Sequence, residues 1–342
     1  MLKVGMIGIG GMGRGHVAIY ERLMKEGAPV RLVALCDVDP RKLEGKSGGD
    51  FNIDIGKDVG PVEGCAKYLD YKEMIANEEL DYVDLAVPTY LHAPIAIYAM
   101  NAGLHVLSEK PMAISVEACA EMVETAQRTG KKLMVAQCLR FWPAYQLLRE
   151  CIEDGRFGKV VCAYFYRGGG SPQWTWNEWM KDASLSGGAL LDQHVHDVDT
   201  INWLFGMPRA VSCVGVKGLY STGYDALSTN YIYPGMVVNA QDDWTINGDG
   251  YGFEMTYRVN FEKAMIALDR DGVTVYPVEG KKFRPELSTE QGYYNEIRYF
   301  IDAVLHDKPI TVASPRSTMD SIRIAQAEMV SADRGGELIA IE

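Results

Sequence analysis

Short apolar runs alternate with amphipathic segments over the first 140 residues. The apolar runs have the length of buried strands and lie at 3–9, 30–36, 81–87, 105–107 and 132–137. Helical spacing of apolar positions appears between them, near 14–25, 71–77, 94–101 and 116–129. Strands that alternate with helices predict a doubly wound parallel sheet, which binds ligands at the carboxyl ends of its strands. The glycine-rich stretch 45–64 lacks this periodicity and predicts a loop.

The pattern changes after Phe141-Trp142-Pro143. Runs with the alternation of strands lie at 160–167, 211–217, 237–246, 253–261 and 264–278, and they predict a large, mostly antiparallel sheet. Helices are expected near 144–153, around 192–205, at 293–305 and at 316–330. The fold class is therefore α/β, with a parallel doubly wound domain at 1–140 and an α+β domain with an open sheet at 141–342. We expect that the last helix can pack back on the first domain.

Composition narrows the class of protein. A chain of 342 residues with 47% hydrophobic and 23% charged residues is typical of a two-domain globular protein. The formal net charge of −12 argues against a nucleic-acid partner. No apolar run reaches membrane-spanning length and no leader is evident, so we expect no membrane partner. The seven cysteines occur singly, which suits reduced thiols and a cytoplasmic location.

The first strand runs into a glycine pattern, Gly8-Ile9-Gly10-Gly11-Met12-Gly13. Glycines with this spacing permit a tight turn, a close approach of backbone to a pyrophosphate, and close helix–strand packing. Asp37 ends the second strand, where a carboxylate accepts hydrogen bonds from an adenosine ribose. That carboxylate would repel a 2′-phosphate, so NAD is favoured over NADP, although Arg41 and Lys42 could soften the repulsion.

Two further segments carry candidate catalytic groups. Lys110 follows a strand that ends at Glu109 and precedes Pro111, which is an unusual setting for a surface lysine. Asp192 precedes His196 by four residues, and on a regular helix this spacing places both on one face. We expect His196 to act as the base, Asp192 to orient it or to contact a substrate hydroxyl, and Lys110 to position the reacting hydroxyl. The opposite assignment, in which Lys110 takes the proton, stays open, as does a plain surface ion pair of Asp192 and His196.

Five motifs in this order resemble those of the glucose–fructose oxidoreductase/inositol dehydrogenase/MocA family. The motifs span nearly the whole chain and comprise Gly8-x-Gly10-x-x-Gly13, Asp37, Pro88-Thr89-x-x-His92, Glu109-Lys110-Pro111, and Gly187-Gly188 through Asp192-x-x-x-His196-Asp197. The resemblance implies an N-terminal Rossmann domain, a tightly held nicotinamide cofactor, and hydride exchange with a sugar, cyclitol or related polyol. It also implies that the open sheet makes the contacts of a homodimer or homotetramer. It adds Pro88, Thr89, His92 and Glu109 to the cofactor-binding residues formed by Gly8, Gly10, Gly11, Met12, Gly13, Asp37 and Lys110.

The chain departs from the family pattern at two positions. Tyr90 stands where members usually carry asparagine, which affects one cofactor contact. His194 stands where many have a small residue, so an additional imidazole could reach the substrate. His194 and His196 diverge by about 200° on a helix, so we expect no metal site there. Arg140, Trp174 and Trp176 complete the substrate-binding candidates beside Lys110, Asp192, His196 and His194; the tryptophans could equally be core or subunit contacts. Arg167 could also reach the pocket, although a surface or structural role is favoured for it.

Three functions compete for this sequence. The first is an NAD-dependent dehydrogenase that acts on a hydroxyl of a sugar, inositol or glycoside. The second is a glycosidase or lyase that oxidises its substrate transiently and regenerates NAD, for which the tryptophan-rich loop leaves room for an aglycone. The third is a non-catalytic nucleotide sensor, which has no need of Lys110, Asp192 and His196 together. We therefore favour the dehydrogenase.

Overall fold

A computed structural model describes residues 1–45, 64–173, 175–248 and 250–341. Trp174 and most of the predicted loop at 45–64 lie outside the described residues. Two sheets organise the described chain, the first built from residues before Gln137 and the second from residues after Lys159. This α/β architecture confirms the predicted fold class.

The first sheet has six strands, all parallel, in the spatial order β3-β2-β1-β4-β5-β6. The strands are β1 (Leu2–Ile7), β2 (Val30–Cys36), β3 (Ala66–Tyr68), β4 (Tyr82–Leu85), β5 (His105–Glu109) and β6 (Leu133–Ala136). The helices between them are α1 (Gly11–Lys25), α2 (Pro40–Leu43), α3 (Tyr71–Asn77), α4 (His92–Asn101) and α5 (Val116–Thr129). The strand order reverses direction at β1 and β4, and ligands of doubly wound sheets bind outside the strand ends at such a point.

The second sheet has eight strands in the order β13-β12-β11-β7-β10-β9-β8-β14. The strands are β7 (Val160–Gly168), β8 (Ala210–Lys217), β9 (Tyr224–Tyr233), β10 (Met236–Asp243), β11 (Glu254–Phe261), β12 (Ala264–Asp269), β13 (Gly272–Pro277) and β14 (Ile339–Ala340). Only β7 and β10 pair in parallel among these described strands, so the sheet is mostly antiparallel as predicted.

Sequence patterning missed one long strand and merged two others. β9 was not predicted because its inward positions include the polar Asp225 and Thr229, which break the apolar alternation. The single run expected at 264–278 is a hairpin of β12 and β13, which turns tightly after Asp269. Gly272 opens β13 at a φ of +100°, a backbone conformation that L side chains rarely adopt.

Five helices accompany the second sheet in the described chain. They are α6 (Pro143–Asp154), α7 (Ala183–Ser186), α8 (Val195–Phe205), α9 (Gly292–Leu305) and α10 (Pro315–Asp333). A π-helical turn at Leu190–His194 leads directly into α8. The last helix, α10, packs on β8 and α8 and also on α5 and β6 of the first sheet. No described helix is both long enough and apolar enough to cross a bilayer.

Candidate active site

A cavity of about 1090 Å³ lies where the two halves of the chain meet. One wall comes from the loops that follow β1, β2, β4 and β5, and the other from β7, the π-helical turn and the loops around Trp176 and Phe253. Pockets for one small ligand commonly measure about 300–1,000 Å³, so this cavity is large for a single small ligand.

The glycine loop after β1 forms the floor of this cavity. Gly8 has a φ of +91°, and a Cβ there would lie 2.4 Å from the Ala86 carbonyl oxygen. A Cβ on Gly13 would lie 1.9 Å from the carbonyl oxygen of Gly8, so only glycine lets α1 approach the strand this closely. Gly13 does not line the cavity, whereas Gly8, Gly10, Gly11 and Met12 do. A Cβ on Gly10 would meet no atom within 4 Å, so backbone stands open to a ligand there.

Asp37 is held in place at the end of β2. Its carboxylate accepts hydrogen bonds from the backbone nitrogens of Ile9 at 2.8 Å and Asp39 at 2.9 Å, and Lys42 Nζ lies 3.3 Å away. The side chain is buried yet lines the cavity, which is the position from which a carboxylate meets an adenosine ribose.

The segment after β4 borders the same part of the cavity through Pro88, Thr89 and Tyr90. His92 is buried behind it and does not line the cavity. One ring nitrogen of His92 lies 2.7 Å from the Pro111 carbonyl oxygen and the other 2.9 Å from that of Val87. His92 therefore ties the loop after β4 to the Lys110-Pro111 segment, and an effect on the cofactor would pass through that loop.

These residues fit a bound dinucleotide. The open backbone at Gly10 and the N-terminal turn of α1 suit a pyrophosphate. The anchored Asp37 carboxylate suits the adenosine ribose next to it. Arg14, in that first turn, lines the cavity, and its buried Nε has no hydrogen-bond partner among the described residues. Burial lowers the pKa of Arg14, and an anion beside the glycine loop would satisfy it.

Lys110 and Asp192 join the two halves of the chain at the centre of the cavity. Lys110 Nζ donates to the backbone oxygen of Asp192 at 2.7 Å and to its Oδ1 at 3.0 Å. An ammonium carries three hydrogens, so one remains for a substrate oxygen. Helical spacing predicted that Asp192 would bond to His196 and fix its tautomer. The structure corrects this prediction, because Asp192 pairs with Lys110 instead.

The π-helical turn explains this difference. Its wider hydrogen-bonding pattern rotates Asp192 away from the face that it would share with His196 on a regular α-helix. His196 lines the cavity, and its Nδ1 is buried without a hydrogen-bond partner among the described residues. Burial, together with the positive charges of Lys110 and Arg167, lowers the pKa of His196 well below 6.5. The imidazole is therefore neutral at neutral pH.

Glu109 reaches the cavity from a buried cluster that sequence patterning missed. Its Oε1 lies 3.2 Å from His16 Nε2, while His16 Nδ1 lies 2.9 and 3.0 Å from the carboxylate oxygens of Asp84. Burial acts against the charged form of His16, but Asp84 and Glu109 outweigh it and raise its pKa well above 6.5. Burial also opposes ionisation of Glu109, yet His16 and Lys110 bring its pKa below the ordinary value.

Glu296 of α9 completes this cluster, with a carboxylate oxygen within 4.8 Å of both Glu109 and His16. It is fully buried, and neither of its oxygens has a hydrogen-bond partner among the described residues. Burial and the neighbouring Glu109 raise the pKa of Glu296 well above 4.5. A protonated carboxyl is a poor metal ligand. We therefore interpret His16, Glu109 and Glu296 as a buried proton-sharing cluster and not as a metal site.

Two predicted substrate residues do not reach the cavity. Arg140 is buried in a bidentate ion pair with Asp199, at 2.8 and 2.7 Å, and also donates to the Val312 carbonyl oxygen. His194 is buried, with Nε2 3.3 Å from the Tyr231 hydroxyl and 3.5 Å from Glu328. Burial lowers the pKa of His194 but Glu328 outweighs it, and the pKa rises to about 9. Arg140 and His194 are thus structural in this geometry. Trp176 lines the cavity, and Trp174 lies outside the described residues.

Arg167 takes the place that we assigned to Arg140. It comes from an inward position of β7, lines the cavity, and forms a buried fork with Asp197 at 3.0 and 3.1 Å. Gln193, Trp244, Phe253 and Met255 line the cavity beside it. The alternation along β7 could have identified Arg167, because a charged residue at an inward position needs a buried partner. The others come from loops that hydrophobic patterning does not position.

Comparisons with known proteins agree with this geometry. Residues 2–137 match the model of an oxidoreductase family with an NAD-binding Rossmann fold, and residues 145–267 match the C-terminal domain model of the same GFO/IDH/MocA family. A levoglucosan dehydrogenase crystallised with NADH and levoglucosan superposes with a TM-score of 0.83 at 22% identity, over 99% of both chains. The WlbA dehydrogenase of Bordetella pertussis, in complex with NADH and UDP-GlcNAcA, gives a TM-score of 0.81 at 22% identity over 100% of this chain and 99% of that one.

Curated relatives include proteins with different named activities. A 2,7-anhydro-N-acetylneuraminate hydratase of Mediterraneibacter gnavus is 31% identical over 61% of this chain and 52% of its own length. A levoglucosan dehydrogenase of Pseudarthrobacter phenanthrenivorans is 30% identical over 67% of this chain and 58% of its own length. The match thus spans little more than half of these two relatives. Because two domain models of one family cover most of the sequence, the chain belongs to the GFO/IDH/MocA family of oxidoreductases, and residues 2–137 match its NAD-binding Rossmann domain.

Proposed function

We propose that this protein is an NAD-dependent dehydrogenase that acts on a hydroxyl group of a sugar, cyclitol or glycoside. The observation that carries the proposal is the meeting of Lys110, Asp192 and His196 in one cavity that the glycine loop and Asp37 also line. Relatives with the printed names of sugar dehydrogenases support the substrate class.

The nicotinamide of NAD would supply the hydride acceptor at this site. The chain's own residues manage the proton and the position of the alcohol. The third hydrogen of Lys110 Nζ holds the reacting oxygen, and Asp192 fixes the direction of the ammonium. His196 is neutral because of its lowered pKa and takes the hydroxyl proton. As the alkoxide develops, the ammonium of Lys110 stabilises its charge.

Preference for NAD over NADP follows from Asp37. Its carboxylate is fixed by two backbone hydrogen bonds and stays at the ribose position when a cofactor binds. Lys42 lies beside it at 3.3 Å, while Arg41 is engaged by Asp39 at 2.7 Å. With its nearby cations already engaged, the site would repel a 2′-phosphate more than it attracts one.

Nicotinamide absorbance with a panel of sugars, cyclitols and glycosides tests the proposal. We expect NADH to accumulate with at least one polyol, and kcat/KM for NAD to exceed that for NADP by at least about tenfold. The rate should stay high down to pH 6.5 and decline only below it, because the lowered pKa of His196 keeps the base form in acid. Binding of NAD without turnover of any polyol would contradict a dehydrogenase and favour a nucleotide sensor.

A second function is a redox-neutral reaction in which the substrate is oxidised and then reduced again on the enzyme. Relatives named as a 2,7-anhydro-N-acetylneuraminate hydratase and as glycosyl hydrolase family 109 proteins favour this alternative. The same assay distinguishes the two: product that forms from a glycoside or anhydro sugar without NADH accumulation supports the redox-neutral reaction.

We also propose that the outer face of the second sheet makes a homo-oligomer. Val237 and Ile232 are cross-strand partners on this face and are exposed, as are Val214 and Val216 on β8. Asn230 and Asn239, also paired there, are uncharged, so the central face can meet a second copy without like-charge repulsion. Sedimentation velocity should show an oligomer that the Ile232→Glu/Val237→Glu variant converts to monomers. A wild-type monomer at micromolar concentration would contradict the proposal.

A further inference from the structure

The charges of the cavity restrict the kind of sugar that it can hold. Five cationic side chains line it among the described residues: Arg14, Arg41, Lys42, Lys110 and Arg167. Three of them lie at the dinucleotide end, where Arg14 stands beside the glycine loop and Arg41 and Lys42 follow β2. Of these five described cations, Lys110 and Arg167 face the space between the catalytic groups and the second sheet.

Both of these cations are already paired. Lys110 Nζ lies 3.0 Å from Asp192 Oδ1. Arg167 places Nε 3.0 Å and Nη2 3.1 Å from the two carboxylate oxygens of Asp197. Each pair sums to zero charge, and Asp192 itself lines the cavity. An incoming carboxylate or phosphate would therefore meet the Asp192 carboxylate, while both cations described at this end of the cavity are already paired.

Further hydrogen-bond donors remain, and they suit neutral oxygens. Besides the third hydrogen of Lys110, Nη1 of the Arg167 guanidinium lies outside the Asp197 fork, 3.6 Å from the sulfur of Met255, and the Tyr145 hydroxyl also interacts with this guanidinium. A thioether is a weak acceptor, so a sugar hydroxyl could replace it at that donor. Because the Asp197 fork holds the guanidinium flat and fixed, the donor direction is set before a ligand binds.

Aromatic side chains stand at the mouth of the same space. Trp176 is 43% exposed and Phe253 is 48% exposed, although both line the cavity. Their rings offer apolar surface against which the C–H face of a sugar ring can pack. Arg167 lies 5.9 Å from the centre of the Phe253 ring, which places this surface beside the Nη1 donor.

We propose that the second ligand of this cavity is an uncharged sugar or glycoside that packs on Trp176 and Phe253, and that sugar acids and sugar phosphates are excluded. The inference rests on the proposed function and deepens it, because the family includes relatives named for acidic substrates and relatives named for levoglucosan, a neutral one. The ion pairs Lys110–Asp192 and Arg167–Asp197 each have zero net charge, so we place this chain with the relatives that take uncharged substrates.

Calorimetric titration of the protein saturated with NADH tests the charge argument. The probes are methyl pyranosides of the gluco, galacto and manno series, each paired with the uronate that replaces its hydroxymethyl group by a carboxylate. We expect the neutral member of at least one pair to bind at least about tenfold more tightly than its acid. An acid that binds as well as or better than its neutral partner overturns the inference and leaves the dehydrogenase intact. If no pair binds while NADH does, the sugar function fails as well.

Two sets of variants test the residues in the same titration. Asp192→Asn leaves Lys110 unpaired, so the ratio of acid to neutral binding should rise by about tenfold, and an unchanged ratio would overturn the charge argument. Trp176→Ala and Phe253→Ala should each weaken the neutral ligand about fivefold or more. Phe283→Ala is the matched control, because Phe283 is 49% exposed and does not line the cavity. Equal effects of all three aromatic variants would rule out the packing surface.

Discussion

Lys110→Ala is expected to reduce kcat by about a thousandfold while the dissociation constant of NAD changes by less than about threefold. The ammonium contacts Asp192 and faces the reacting oxygen, whereas the groups that fit the pyrophosphate and the adenosine ribose come from the glycine loop and Asp37. Stopped-flow turnover and equilibrium titration with NAD measure the two quantities separately.

Lys42→Ala is the control, because we expect it to change the dissociation constant of NAD and not kcat. Lys42 lies 3.3 Å from Asp37 at the dinucleotide end, so its loss should alter the affinity for NAD and leave kcat close to that of the wild type. The melting temperature of both variants reports on folding. Comparable losses of NAD affinity and kcat in Lys110→Ala would refute the division of labour between the two halves of the cavity.

His16→Ala is expected to lower the free energy of unfolding by about 3–5 kcal/mol, because it leaves the buried carboxylates of Asp84 and Glu109 without their shared partner. Urea unfolding at pH 6 measures the change. His306→Ala is the matched control: His306 is exposed and lies 3.6 Å from Asp302, so its loss should change the free energy by about 0.5 kcal/mol or less. Similar values for the two variants would contradict a buried charge cluster.

The pH dependence of this difference has a definite sign. The folded pKa of His16 lies well above 6.5, so its stabilising contribution is complete below pH 6.5 and is lost as pH rises through the folded pKa. Asp84, Glu109, Glu296 and the hydroxyl of Tyr20 face the cluster. Glu296 also has a raised pKa, so it too disfavours the fold as it ionises. The difference in free energy of unfolding between the wild type and His16→Ala should therefore narrow with rising pH. Glu296→Gln mimics the protonated acid, so this variant should lose less stability than the wild type as pH rises.

Much of the fold was accessible from the sequence because local pattern and tertiary structure agree there. The continuous apolar runs became β1, β2 and β4 to β6, and the glycine loop and Asp37 lie at their carboxyl ends. Strand β9 was missed because polar Asp225 and Thr229 occupy its buried positions and so break the apolar alternation that predicts a strand.

The site was less accessible, for a different reason. Helical periodicity assumes a regular α-helix, and the π-helical turn at Leu190–His194 redirects Asp192 to Lys110. His194 was expected near the substrate because it stands where family members often have a small residue, and the structure instead buries it beside Glu328. Arg140 and Arg167 are alike in sequence terms, since each arginine follows a largely apolar run. Only the location of their partners, Asp199 and Asp197, decides which one lines the cavity.

The bond between Lys110 and Asp192 makes the two halves of the chain interdependent. One partner follows β5 of the first sheet, and the other lies in the turn before α8. A chain divided between the two sheets would leave the ammonium on one fragment and its orienting carboxylate, together with the imidazole of His196, on the other. Neither fragment would possess a complete reaction centre.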